Sequence, residues 1–122
     1  MTATILVASH SNDIRQSIHK NLTGRGYKVL DAVNGQEALL KLSNHEQIDL
    51  ILTDNKLPDM DGFQLTRQIR KIKVFQFLPV VMLTSQKSSQ LETEGLAAGI
   101  TGWLCQPIDD EQFFTVIKRL MY

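Results

Sequence analysis

Five short apolar runs punctuate the chain: "TILVA" at Thr4–Ala8, "KVLDA" at Lys28–Ala32, "DLILT" at 49–53, "PVVMLT" at 79–84 and "GWLC" at Gly102–Cys105. Three of them are almost uninterrupted and rich in β-branched residues, the pattern of a parallel strand covered on both faces. The second, with its lysine and aspartate, reads as an edge strand. Between the runs, apolar residues recur at helical period. Ile14, Ile18 and Leu22 fall four apart, with Gly24 and Gly26 as a stop. Ala38, Leu39 and Leu42 form the inner face of a second helix after Asn34-Gly35. Phe63, Leu65, Ile69 and Ile72 do the same for a third, with Arg67, Arg70, Lys71 and Lys73 turned to water. "SSQLETEGLAAG" is a shorter, weaker helix ended by Gly99, and "DDEQFFTVIKRLMY" opens on acids and closes on Lys118 and Arg119, matching the helix dipole at both ends.

This strict alternation predicts an α/β fold: a flavodoxin-like three-layer sandwich in which five helices flank a five-stranded parallel sheet. The strand order 2-1-3-4-5 suits it, because the second run reads as an edge and the first and third as interior. Ligands of such sheets bind beyond the carboxyl ends of the strands, at the point where the order reverses. That rule brings Ser9-His10, Asp54-Asn55-Lys56 and Thr84-Ser85 to one crevice.

Composition narrows the field without pointing to a task. A chain of 122 residues, 43% hydrophobic and 21% charged, is expected to form one domain over 1–122. Thirteen basic and thirteen acidic side chains cancel, so no global field favours nucleic acid or an anionic membrane, and neither is expected as a partner. The single cysteine, Cys105, cannot staple the fold and reads as a small core residue, which fits a reducing cytoplasm. "MTATILVASH" is not a secretory signal, and no apolar run reaches the length of a membrane span.

The polar candidates divide into chemistry and scaffolding. Ser9-His10 has a nucleophile and a base, but side chains adjacent on a strand diverge and no nucleophile elbow accompanies them. Ser11, Asn12 and Asp13 are helix N-caps in the simpler reading. His19 and His45 fall on helical surface with nothing at metal-ligand spacing. Phe75 and Phe77 alternate, so at most one of them is exposed.

On these residues the chain resembles the receiver domain of two-component response regulators, the CheY-like family, over residues 5–120 without insertion or deletion. "DLILTDNKLPDMDGFQL" is similar to the family's most specific signature, and the resemblance implies that Asp54 is the phospho-acceptor, with Pro58 and Gly62 as loop landmarks. "PVVMLTS" implies that Thr84 is the hydroxyl that senses a phosphoryl group. "AAGITGWLCQP" implies that Trp103 is the aromatic switch and Pro107 a cis-bonded proline. Trp103 is open to two roles, core packing and interface contact.

The departures fall on the chemistry. The family holds Mg²⁺ with two adjacent acids after the first strand, and here Ser9 and His10 stand there. Its lysine before the fifth-strand proline is replaced by Gln106. A serine, an imidazole and Asp54 make a poor cage for a hard octahedral ion, so no metal is expected beyond Mg²⁺ at Asp54 if competence is retained. If His10 faces Asp54, an imidazolium–carboxylate pair replaces the metal; otherwise His10 is an ordinary loop histidine. The expected protein is a non-enzymatic signalling module with weak or absent phosphorylation, contacting a histidine kinase or another signalling protein. Homodimers through the helix 4, strand 5 and helix 5 face are a further possibility. The alternatives are a fully phosphorylatable response regulator and a flavodoxin-like FMN or nucleotide binder. The latter needs a phosphate cradle after the first strand, and "SHSND" has no glycine.

Overall fold

A computed structural model describes residues 2–44, 47–85 and 88–121, so His45 lies outside the described residues. The elements are β1 Thr4–Ala8, α1 Asn12–Thr23, β2 Lys28–Ala32, α2 Gly35–Asn44, β3 Leu50–Asp54 and α3 Gly62–Lys71. After a single 3-10 turn, Lys73–Phe75, come β4 Val80–Thr84, α4 Ser89–Ala98, β5 Gly102–Cys105 and α5 Asp110–Met121. All strand pairs are parallel and the sheet runs β2-β1-β3-β4-β5, the predicted order. Three strand boundaries shift by one residue, both ends of β3 and the start of β4, which begins at Val80. Asp54 is itself the last residue of β3, while Asp49 stays outside the strand and accepts the Thr4 amide at 2.8 Å.

The strand period of two divides the core into halves. Leu6, Ala8, Ile51, Val80 and Met82 face α2, α3 and α4, where Leu42, Phe63, Leu65, Ile69 and Ala98 meet them. Ile5, Val7, Leu52, Val81 and Leu83 face α1 and α5, meeting Ile18, Leu22, Phe113 and Ile117. Ile5, Leu6, Val7 and Ala8 have no exposed surface, which explains why β1 is a continuous apolar run with no alternation.

Helix ends are set by side chains. The Ser11 hydroxyl accepts the Ile14 amide at 3.2 Å, so of the three expected caps Ser11 is the N-cap of α1. Asp61 and Gln64 form a reciprocal capping box on α3. Asn34 accepts from the Glu37 amide at 2.8 Å at the start of α2. Gly99 closes α4 with φ of 99°, a left-handed conformation that suits glycine.

Three side chains differ from expectation. Cys105 is exposed: β5 is an edge strand, Leu104 takes the buried side, and the next residue turns outward. Arg70 is half-buried instead of turned to water, donating to the carbonyls of Phe75 and Gly99 at 3.2 and 2.6 Å. It ties α3 to the turns before β4 and β5, and burial lowers its pKa. Ile72 lies one residue beyond α3 and is only half-buried. Phe75 is buried and Phe77 is 87% exposed, as their alternation requires. Among the described residues no helix is long and apolar enough to cross a membrane.

Candidate functional site

The parallel register sets Asp54 at the end of β3 beside Leu83 of β4, one step beyond the pair Ala8 and Thr53. Ser9 follows β1 directly and its backbone continues toward β2, donating to the Ala32 carbonyl at 3.0 Å. Thr84 ends β4, and Gln106 follows β5, its amide bonded to the Thr84 carbonyl at 2.8 Å. Asp54, Lys56, Thr84, Ser85 and Gln106 line one cleft of about 270 Å³. The three polar clusters of the sequence therefore do converge at the carboxyl ends of the strands.

Serine, not histidine, contacts the carboxylate. Ser9 is completely buried, and its hydroxyl donates to Asp54 Oδ2 at 2.6 Å while accepting the Ser11 amide at 3.1 Å. The His10 backbone amide also donates to Asp54. The His10 imidazole is exposed and forms no ion pair with Asp54; among the described residues the one imidazole–carboxylate pair is His19 Nδ1 with Asp31 Oδ2, at 3.4 Å. The imidazolium–carboxylate substitute for a metal is thus not formed, because the chain turns into α1 with the His10 side chain outward. His10 acts on Asp54 through its amide and, more weakly, its charge.

Arg15 is a part of the site that sequence reading missed. Its Nη1 donates to the Ser9 carbonyl at 2.6 Å and its Nη2 to Asn12 Oδ1 at 3.2 Å. The signal was a base in the first turn of a helix, where the dipole favours acids. Burial is the largest influence on Asp54 and raises its pKa above the usual carboxylate value. The Ser9 hydroxyl, the His10 amide and the positive charge of His10 and Arg15 oppose the shift without cancelling it.

Glycine and a second aspartate hold the loop after β3. A Cβ on Gly62 would lie 2.7 Å from the Asp54 carbonyl and 2.6 Å from Met82 Cε, so only glycine lets α3 start this close to the end of β3. Asp59 reaches back to α2, accepting the amides of Gly35 at 2.8 Å and Gln36 at 2.9 Å. Slight burial raises its pKa, but those amides, with its own and that of Met60, outweigh this and lower it. Pro58 is exposed in the same loop, and the Gln106–Pro107 peptide is cis. Trp103 is half-buried, edge-on to Phe63 at 6.3 Å and tucked beneath α4.

A magnesium ion prefers several oxygen ligands, usually including more than one carboxylate or a phosphate. The site offers one carboxylate, with an oxygen already taken by a serine hydroxyl, and among the described residues no three acidic, histidine or cysteine side chains come together. These donors do not fit the ion.

The model of the response regulator receiver domain matches residues 5–118. A probable transcriptional regulator of Porphyra purpurea is 31% identical over 122 residues, and the chain spans 58% of that protein's length. A chemotaxis protein CheY homolog of Campylobacter jejuni is 30% identical over 84% of this chain and 80% of its own. The crystallised chemotaxis protein CheY4 of Vibrio cholerae superposes with a TM-score of 0.94 at 34% identity, over 98% of this chain and 99% of that one. This leaves the flavin-binding alternative without support. With its strand order, the receiver-domain match over residues 5–118 and these likenesses, the chain belongs to the response regulator receiver family of two-component signalling.

Proposed function

We propose that this receiver signals mainly through protein contacts and that Asp54 is phosphorylated weakly or not at all in the presence of Mg²⁺. The observation that carries the reading is the 2.6 Å hydrogen bond from buried Ser9 to Asp54 Oδ2, which occupies the acceptor where a metal-bound pocket would need it open. Phosphoryl transfer to a carboxylate depends on positioning and on neutralising charge. One preorganised donor is commonly worth about 2.7–4 kcal/mol in the transition state, so an uncharged Gln106 in place of lysine, and no metal cage, slow transfer by several decades. The module is non-enzymatic in this reading and works in the cytoplasm with a histidine kinase or another signalling protein. The α4, β5 and α5 face is available for homodimers, and half-buried Trp103 is its aromatic contribution.

Full competence is the second reading, because Thr84 and the cationic Lys56 line the cleft with Asp54. Incubation with Mg²⁺ and a small phosphodonor or a histidine kinase separates the two. The expected result is little or no acid-labile label. Stoichiometric label that disappears in Asp54→Asn would overturn the proposal.

A further inference from the structure

Zero net charge conceals a segregated charge. Between Asp61 and Glu92 the chain carries Arg67, Arg70, Lys71, Lys73 and Lys87 and no acid, so the remaining eight bases stand against all thirteen acids. Arg70 is committed to backbone carbonyls, but Arg67, Lys71 and Lys73 are exposed. Lys71 and Lys73 adjoin in sequence the turn between α3 and β4, which carries Val74, 73% exposed, and Phe77, at 87% the most exposed large apolar side chain among the described residues. Phe77 is nearly free with two exposed lysines close before it in the chain, and among the described residues the acid that shares its hollow, Asp49, already accepts the Thr4 amide.

Its complement lies on the same chain. A cleft of about 290 Å³ between α1 and the β5–α5 loop has Ile14, Ile18, Ile108 and Phe113 in its floor, with Asp13 and Asp110 at its edge. Asp109 and Glu111, also exposed, extend the acidic edge. The cleft combines these apolar side chains and two acids with the polar Ser17, Asn21 and Gln106, and it has room for one aromatic ring. We propose that it takes the Phe77 turn of a second copy of this chain, with Lys71 and Lys73 of the incoming copy against Asp13 and Asp110.

Geometry dictates the kind of assembly. All strands are parallel, so the Phe77 turn, which precedes β4, and the cleft, which lies beyond β5 and at the start of α1, sit at opposite ends of the sheet. Contact between two different surfaces at opposite ends is head-to-tail, and it extends to a chain of molecules instead of closing as a symmetric pair. A projection inserted in a recess buries little surface, so the association is weak and appears only at high protein concentration. Its charged rim makes it weaken as salt rises. The cleft shares Ile14 and Gln106 with the one beside Asp54, so the inference concerns the unphosphorylated chain.

Sedimentation velocity of the 122-residue chain over a concentration series, at low and high salt, tests it. The expected result is concentration-dependent growth beyond a dimer at low salt, weakened at least about tenfold by Phe77→Ser. Lys71→Glu with Lys73→Glu sets acid against acid, and Asp13→Lys with Asp110→Lys sets base against base, so each double variant alone is expected to stay monomeric. An equimolar mixture of the two restores association, because every projection then meets a cleft of opposite charge; recovery on mixing also rules out a simple folding defect. A single monomeric species at every concentration overturns the proposal. So does association that Phe77→Ser leaves unchanged, or a mixture that does not recover.

Discussion

Replacing Ser9 with alanine isolates the contact on which the site reading depends. The serine has no exposed surface, and its hydroxyl both donates to Asp54 Oδ2 at 2.6 Å and accepts the Ser11 amide at 3.1 Å. A hydrogen bond to an ionised group contributes about 1.5–3 kcal/mol, and water does not easily replace it in a buried position. Ser9→Ala is therefore expected to cost about 1.5–3 kcal/mol at neutral pH. For a domain of this size that lowers Tm by roughly 5–15 °C. The pH dependence follows from Asp54. Its folded pKa lies above the ordinary value of 3.8, so the protonated carboxyl is the form the fold favours, and the stability this provides is lost as pH rises through the folded pKa. The Ser9 hydroxyl offsets part of that loss by stabilising the anion. Without it the folded pKa rises further, and the penalty of Ser9→Ala is small in acid and full at neutrality. Urea unfolding followed by the fluorescence of Trp103, the single tryptophan, measures both limits. A penalty below about 0.5 kcal/mol at neutral pH, within the range of ordinary surface substitutions, would refute the hydrogen bond. A penalty equal at both pH values would refute its link to the carboxylate.

Three further outcomes are expected. Asp59→Ala removes a cap on α2 supplied from the β3–α3 loop, and chemical denaturation should show a loss of about 1 kcal/mol. Because the folded pKa of Asp59 is lowered, that loss is present above the ordinary carboxylate pKa of 3.8 and fades as pH falls through the folded value. Gly95→Ala places a Cβ 2.4 Å from the Trp103 indole, so the ring must shift; a cost of about 1–3 kcal/mol and altered Trp103 emission are expected, and an unchanged spectrum contradicts the packing. Native Cys105 should react with a thiol reagent about as fast as in urea, since it is exposed on an edge strand; strong protection would contradict that placement.

Much of this molecule can be read along the chain. Continuous β-branched runs identify strands buried on both faces, helical periods supply the covering layers, and their alternation leaves few topologies. Each of those signals is local or depends on a simple period, and the observed elements match them closely. The polar cleft, too, was visible as polar residues following apolar runs. What depended on tertiary structure was orientation. Ser9 and His10 are adjacent in sequence, yet one is sealed against Asp54 and the other faces solvent, because strand direction and the turn into α1 choose between neighbours. Arg15 reads as an ordinary helical surface base until the fold brings it onto the Ser9 carbonyl. Arg70 and Cys105 exchanged their expected places for the same reason: burial is set by what a neighbouring element covers, not by residue type alone. Sequence determined which elements form and where their polar ends lie; only the packed chain decided which side chain at each end does the work, since that depends on contacts between residues 45 positions apart.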